Sequence, residues 1–384
     1  MANRTSAGTP QAQVVPFLYE DARIYVPVRI GAGPSRWFIL DTGATGTIID
    51  SALAKSMHLR VSGAQTVHGA GSGGSQQAQT GAVRFMVGDV PLVVAQPAVM
   101  DLAHLLGPTS GRPPDGIIGS QFFREHFVDV DFAQRRISVY PPEANRRSSY
   151  AAAVPLTFVD STPLTPVLLT LPSGRTTTAN ALVDLGAKAT FLVPEPFIDR
   201  EKLRDAFSTK VVTGFGAGVG GDTFYAFGRA RRLGFAGEPR LSLERPVVGL
   251  SVKGTLRSTW HQGLLGAEFL APFKLGFDYR HKRLLLTQRS NEVAPFDRSG
   301  LFLAASGSSL KQLVVRSVVE NGPAALAGLA PGDEILSIDG SPTADLGLDE
   351  VRNRLKNGRA AAVIIEYLRG TERHAVRLGL RDLL

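Results

Sequence analysis

The sequence predicts an all-β protein of two similar lobes in one chain, followed by a small α+β domain. An apolar-Asp-X-Gly-Ala element occurs twice, at residues 40–44 and 183–187. Each copy is followed by an apolar-apolar-Gly element that ends at Gly119 or Gly266, and 12 residues later by Asp131 or Asp278. Repeated landmarks in one order indicate a duplicated structural unit. The pattern changes near Gly300, which indicates a separate domain.

Both copies read mostly as β-strand. Short β-branched and apolar runs, such as residues 24–30, 83–87, 167–171 and 284–287, are bounded by turn residues. We expect one short helix after each apolar-apolar-Gly element, over residues 121–126 and 268–272. The predicted pieces are a flexible tail (1–16), lobe 1 (17–145), lobe 2 (150–290) and the last domain (296–384).

The two repeated aspartates, Asp41 and Asp184, are the candidate catalytic pair. An Asp-X-Gly turn alone is common surface geometry, but two copies of one fold can bring two carboxyl groups together. Like charges a few ångströms apart cannot both ionise, so one carboxyl keeps a proton while the other acts as a base. The supporting turn residues are Thr42, Gly43, Ala44, Gly186 and Ala187.

Each copy also carries a glycine-rich stretch, at residues 69–74 and 214–221, which we expect to form a hairpin flap. The predicted flap glycines are Gly69, Gly71, Gly73, Gly74, Gly214, Gly216 and Gly218. Both stretches also satisfy the glycine pattern of dinucleotide-binding loops. That pattern requires a following helix, and the residues that follow lack a helical apolar period, so nucleotide binding is not expected.

In this order of motifs, residues 20–290 resemble the retropepsin and pepsin-like aspartic proteases. The resemblance implies a bilobal pseudo-dimer that hydrolyses peptide bonds in a protein or peptide substrate without metal or cofactor. The sequence departs from the family at Leu185, where a Thr or Ser would hydrogen-bond across the two turns, so this cross-link should be one-sided, through Thr42. Lys188 also places a cation near one catalytic-type carboxylate.

These departures leave two alternatives open. One is a catalytically degenerate protease module that serves as a peptide-binding scaffold. The other is a homodimeric protease that uses two copies of Asp41.

The last domain contains the run from Asn321 to Gly340, which resembles PDZ domains of bacterial type. Pro323 opens a short helix, Gly328 ends it, and Pro331-Gly332-Asp333 forms a turn. We expect a groove helix over residues 346–355 and closing strands over 361–368 and 373–378. The resemblance implies a site for C-terminal peptides. Its predicted groove residues are Gly300, Leu301, Phe302, Leu303, Leu348, Val351 and Leu355.

Composition excludes several classes of function. The 384 residues include no cysteine, which rules out disulfides and thiolate metal sites, and the seven histidines lack metal-ligand spacing. The net charge of +8 comes from dispersed arginines, so we expect a solvated surface and no nucleic-acid partner. No apolar stretch approaches the length of a membrane span. The pairing of protease and PDZ motifs resembles envelope proteases, and with the absence of cysteine it favours an exported protein.

Overall fold

Three structural units make up the chain: two lobes and a C-terminal domain. The computed structural model describes residues 12–384 apart from residues 72, 253, 254 and 358. Within this part of the chain no helix combines the length and apolarity that crossing a membrane requires. Strand is the main secondary structure of the described residues and helices are few, as the sequence predicted.

Lobe 1 is built on a ten-stranded sheet with the order β6-β7-β10-β5-β11-β4-β3-β8-β9, and β2 pairs with β3. In β8, Val83, Phe85 and Val87 are buried while Arg84 is exposed, the two-residue period of a half-buried strand. The elements of this lobe are β1 (Gln13–Pro16), β2 (Leu18–Glu20), β3 (Arg23–Ile30), β4 (Arg36–Leu40), β5 (Ile48–Asp50), α1 (Ser51–Ser56), β6 (Val61–His68), β7 (Gly74–Thr80), β8 (Val83–Val87), β9 (Val90–Val94), β10 (Ala98–Met100), α2 (Leu102–Ser110), β11 (Gly116–Ile118), α3 (Ser120–Glu125), β12 (Phe127–Asp131) and β13 (Arg136–Tyr140).

Lobe 2 repeats the arrangement, with the order β19-β20-β23-β18-β24-β17-β16-β21-β22, and β15 pairs with β16. A 3-10 turn, Arg147–Ser149, precedes it. Its elements are β14 (Ala152–Pro155), β15 (Thr157–Val159), β16 (Thr162–Thr170), β17 (Thr176–Val183), β18 (Phe191–Val193), α4 (Glu195–Arg200), β19 (Val211–Gly218), β20 (Gly221–Arg229), β21 (Arg232–Phe235), β22 (Glu238–Glu244), β23 (Val247–Val252), β24 (Gly263–Leu265), α5 (Ala267–Leu270), β25 (Phe273–Asp278) and β26 (Arg283–Gln288).

A third sheet, β1-β13-β12-β25-β26-β14, joins the lobes. Its centre is the antiparallel pair β12 and β25, with Val128 opposite Phe277 and Val130 opposite Leu275. All four side chains are buried and belong to one apolar core that runs through both lobes. The lobes therefore fold as one body, because this core and its backbone ladder are shared.

The C-terminal domain has its own apolar core, which includes Leu303, Ile335, Val351 and Ile365. Its sheet has the order β27-β28-β29-β31-β32, and β30 pairs with β29. The elements are β27 (Leu301–Ser306), β28 (Gln312–Val318), α6 (Pro323–Leu326), β29 (Glu334–Ile338), β30 (Ser341–Pro342), α7 (Thr343–Asn357), β31 (Ala362–Arg369) and β32 (Glu372–Gly379). Gly347, at φ 75°, breaks the helical geometry inside α7, so the groove helix effectively starts after it.

The predicted elements correspond closely to those observed, with two differences. Residues 13–16, expected in a flexible tail, form β1 because Val15 fits the core and pairs with Ile137. Residues 1–11 lie outside the described part of the chain. Gly214, Gly216 and Gly218, expected in a hairpin flap, lie in one arm of the hairpin, strand β19, rather than at its tip.

Candidate active site

Asp41 and Asp184 occupy equivalent turns at the ends of β4 and β17. The Asp41 backbone N–H donates to Ile118 O and that of Asp184 to Leu265 O, both at 2.9 Å, so each turn is fixed to the apolar-apolar-Gly strand of its own lobe. The Asp41 carboxylate accepts from Gly43 N at 2.7 Å and Ala44 N at 3.1 Å. The Asp184 carboxylate accepts from Gly186 N at 2.8 Å and Ala187 N at 3.1 Å.

The two carboxyl groups lie side by side and hydrogen-bond to each other. Burial raises the pKa of Asp41, although its hydrogen bonds oppose that shift. Burial, the charge of Asp41 and their shared hydrogen bond raise the pKa of Asp184 well above its usual range. Such a pair holds one proton between two carboxyls over a wide pH range.

Thr42 joins the two turns. Its hydroxyl donates to Val183 O at 2.7 Å and accepts from Leu185 N at 3.0 Å. The Leu185 side chain is fully buried in the shared core. The cross-link is therefore one-sided, as the sequence predicted, and Leu185 contributes packing in its place.

Lys188 forms a buried ion pair with Asp21. Its ammonium donates to Asp21 at 2.5 Å, so its ion pair is with a carboxylate of lobe 1 outside the candidate dyad. Asp21 is buried and also binds Arg23 and, at 3.0 Å, Arg352 of the C-terminal domain. Burial lowers the pKa of Lys188 to about 8, although the charge of Asp21 opposes this. The Asp21 cluster (Asp21, Arg23, Lys188 and Arg352) was missed, because Asp21 sits in a short turn with no motif around it.

Apolar side chains flank the carboxyl pair on both sides. On β4, Ile39 shares a face with Asp41, and on β17 Leu182 shares a face with Asp184. The lobe 1 cluster contains Tyr25, Ile39, Met100, Leu102 and Ile117. The lobe 2 cluster contains Leu182, Ala189, Leu192, Tyr225, Phe227, Val247, Leu256 and Leu264.

One hairpin from each lobe packs on the apolar cluster of the other lobe. Flap 1 is the β6–β7 hairpin and flap 2 the β19–β20 hairpin. Their tips bond to each other: Gly71 N donates to Val219 O and Gly73 N to Gly220 O, both at 2.9 Å. Ala70 of flap 1 packs against the lobe 2 cluster and Val219 of flap 2 against the lobe 1 cluster. Gly69 and Gly74 flank the tip of flap 1.

The predicted PDZ groove residues lie where β27 faces α7, and their side chains are buried. Gly300 precedes β27 with φ 75°. Helix α2 of lobe 1 packs along β27, so the groove lies against lobe 1 rather than open to solvent. Peptide binding there remains a prediction.

A metal centre is not indicated by the geometry. Among residues 12–384, with the gaps given above, no three His, Asp or Glu side chains group as metal ligands would.

Comparison with known proteins identifies two domains in the chain. Residues 26–122 match the family model described as aspartyl protease, and residues 314–369 match the model of a PDZ domain. The first match includes Asp41 and lies wholly in lobe 1. No curated protein matches the chain. A solved structure, the photosystem II D1 C-terminal processing protease, is 25% identical over 23% of this chain and 24% of that chain, with a TM-score of 0.22.

Proposed function

We propose that this protein is an aspartic endopeptidase that uses Asp41 and Asp184 as its catalytic dyad. The observation that carries the proposal is that both carboxyl groups are half-buried, adjacent and hydrogen-bonded, each with one oxygen held by two backbone N–H groups. A carboxyl pair with a raised pKa lowers the free energy of unfolding at neutral pH. Groups with such perturbed pKa values cluster at catalytic sites.

In the proposed reaction, a water molecule bound between the carboxyls attacks the scissile carbonyl carbon. The ionised carboxylate accepts a proton from the water while the protonated carboxyl donates a hydrogen bond to the carbonyl oxygen. The tetrahedral intermediate then collapses as the departing nitrogen takes up a proton from the dyad. The raised pKa of Asp184 favours it as the protonated partner in the resting enzyme.

The proposed substrate is an extended peptide with apolar side chains on both sides of the scissile bond. The two apolar clusters flank the dyad on opposite sides, and each is covered by the flap of the other lobe. A substrate must displace these tip contacts to enter. We further propose that the PDZ domain recruits or positions protein substrates.

Replacing each carboxyl by its isosteric amide tests the dyad. Cleavage of a random peptide library is compared for the wild type, Asp41→Asn, Asp184→Asn and the exposed control Asp205→Asn. We expect both dyad variants to lose cleavage by at least about 100-fold and the control to match the wild type. Undiminished activity in Asp184→Asn would favour a homodimeric site made from two Asp41 residues. Absence of cleavage by the wild type would favour the scaffold.

A further inference from the structure

A side chain of the PDZ domain itself hydrogen-bonds to the open edge of the PDZ sheet. Among the described strands, β27 pairs only with β28, so its other edge is the place where a bound peptide would add as a strand. On that edge the Leu303 carbonyl accepts from the Arg352 guanidinium at 2.8 Å. Arg352 projects from α7, so it spans the groove from helix to strand. An added strand would need this carbonyl for its own N–H.

Helix α2 of lobe 1 covers the same groove. The Thr109 carbonyl at its end accepts from Arg352 at 2.6 Å. A β-carbon on Gly107 would lie 3.0 Å from Leu310, in the β27–β28 turn, and one on Gly111 would lie 2.8 Å from Leu348 of α7. The end of α2 therefore reaches from the β27–β28 turn to the start of α7, and its two glycines permit that approach.

The same PDZ strands hold flap 2. The Phe302 ring packs on Gly214 of β19 so closely that a β-carbon on Gly214 would lie 2.4 Å from the ring. On β28, Arg316 forms an ion pair with Asp222 of β20 at 2.8 Å. Because the tip of flap 2 bonds to the tip of flap 1, the PDZ domain in this position supports both closed flaps.

The Asp21 cluster fixes this position from the other side. One buried carboxylate of lobe 1 binds Lys188 of lobe 2 and Arg352 of the PDZ domain. Arg352 thus contacts lobe 1 through Asp21 and Thr109 and its own sheet edge through Leu303. A single side chain, Arg352, therefore hydrogen-bonds to the groove strand, to lobe 1 and to the Asp21 cluster.

We propose that α2 and Arg352 act as an internal competitor for the PDZ groove, so that peptide binding along β27 and the closed, flap-supporting position of the PDZ domain exclude one another. This inference rests on the proposed function, because it names the regulation of that active site. A peptide that adds to β27 must displace Arg352 from Leu303 and α2 from the groove. Displacement frees Phe302 and Arg316 from flap 2 and so favours flap opening. By linkage, the internal contact and a bound peptide weaken each other by the same factor, so weakening the internal contact should strengthen peptide binding.

Hydrogen–deuterium exchange of the full chain tests the inference without any ligand. Arg352→Ala is compared with Arg354→Ala, which removes an arginine of the same helix that pairs at the surface with Glu350. We expect exchange in residues 102–111 and 211–229 to rise about fivefold or more in Arg352→Ala, the lower end of typical allosteric coupling. Arg354→Ala should match the wild type. Equal exchange in both variants would overturn the proposal.

A second variant keeps the test valid if Arg352→Ala fails to fold. Arg352→Lys keeps a cation beside Asp21 but cannot reach Thr109 O and Leu303 O together, so it should raise exchange in the same two segments. Wild-type exchange in this folded variant would also overturn the proposal.

Cleavage of a short apolar peptide separates this inference from the proposed function. We expect kcat/KM to increase in Arg352→Ala, since the flaps open more readily. Faster exchange with no cleavage by any variant, the wild type included, would support the internal competitor and reject the protease. If Arg352→Ala exchanges faster but has a lower kcat/KM than the wild type, the closed position of the PDZ domain does not restrain activity, and that part of the proposal is rejected.

Discussion

Gly43 lies directly against the carboxyl group of Asp184, and Gly186 lies in the same way against that of Asp41. A β-carbon on Gly43 would stand 2.7 Å from Asp184 Cγ, and one on Gly186 would stand 2.3 Å from Asp41 Cγ. Each glycine thus makes room for the carboxyl of the other lobe. The glycine of the Asp-X-Gly turn is a requirement of the assembled pair as well as of the turn.

The first prediction is that neither glycine tolerates a methyl group. Gly43→Ala and Gly186→Ala should each abolish peptide cleavage, because the added carbon would push the opposite carboxyl away. Gly46→Ala is the matched control: it lies in the same loop, and a β-carbon there meets nothing within 4 Å. Initial rates on one peptide substrate decide the outcome. Full activity in Gly43→Ala would mean that the carboxyls react from different positions.

The second prediction concerns the pH dependence of activity. The active form holds one proton on the pair, so kcat/KM should follow a bell-shaped curve. At low pH the second carboxyl gains a proton and activity falls. At high pH the shared proton is lost and activity falls again. Because the pKa of Asp184 is raised, the midpoint of this fall should lie above the usual pKa of a carboxyl group. A single sigmoid limb would argue against a shared proton.

The third prediction is that replacing Asp184 by its amide stabilises the protein at neutral pH. The folded pKa of Asp184 is raised above its unfolded value, so the folded state binds more protons, and unfolding free energy is lost as pH rises through the folded pKa. Asp184→Asn removes this loss. Its midpoint of thermal unfolding should exceed that of the wild type at pH 7 and approach it at pH 3. A lower midpoint at pH 7 would contradict the expected repulsion.

The fourth prediction tests the one-sided cross-link. Thr42→Val keeps the shape but removes the hydroxyl that bonds Val183 O and Leu185 N, which leaves two buried backbone groups unpaired. We expect a loss of about 2–4 kcal/mol in unfolding free energy. Thr45→Val, exposed in the same loop, should change little. Urea denaturation of both variants measures the difference; equal values would remove Thr42 from this role.

The fifth prediction concerns the Asp21 cluster. Asp21→Asn leaves Arg23, Lys188 and Arg352 together without their carboxylate, which should cost about 3–5 kcal/mol of unfolding free energy. Asp89→Asn breaks the exposed ion pair with Arg29 and should cost at most about 0.5 kcal/mol.

The pH dependence of the unfolding free energy tests the Asp21 cluster in a second way. The folded pKa of Asp21 lies well below its usual range because three cations surround it, so its stabilisation is present at neutral pH and is lost as pH falls below the unfolded value. The difference in unfolding free energy between the wild type and Asp21→Asn should therefore become smaller in acid. If this difference stays constant from pH 7 to pH 3, the loss of stability in Asp21→Asn comes from packing and not from the charge of Asp21.

The sequence by itself determined the local elements. Turn chemistry and strand periodicity depend on neighbouring residues, so the Asp-X-Gly turns, the flap hairpin at Gly69 and Gly74 and most of the strands could be predicted. The duplicated spacing also indicated that Asp41 and Asp184 belong to equivalent turns, because a repeat in sequence folds into a repeat in space.

Only the tertiary structure decided which side chains meet across the three units. The partner of Lys188 is Asp21, 167 positions away, and Arg352 reaches lobe 1 across 331 positions. No local pattern records such contacts, since they depend on how three separately folded surfaces pack. The position of α2 over the PDZ groove is of the same kind: the groove residues follow from the domain's own sequence, but their cover comes from another lobe.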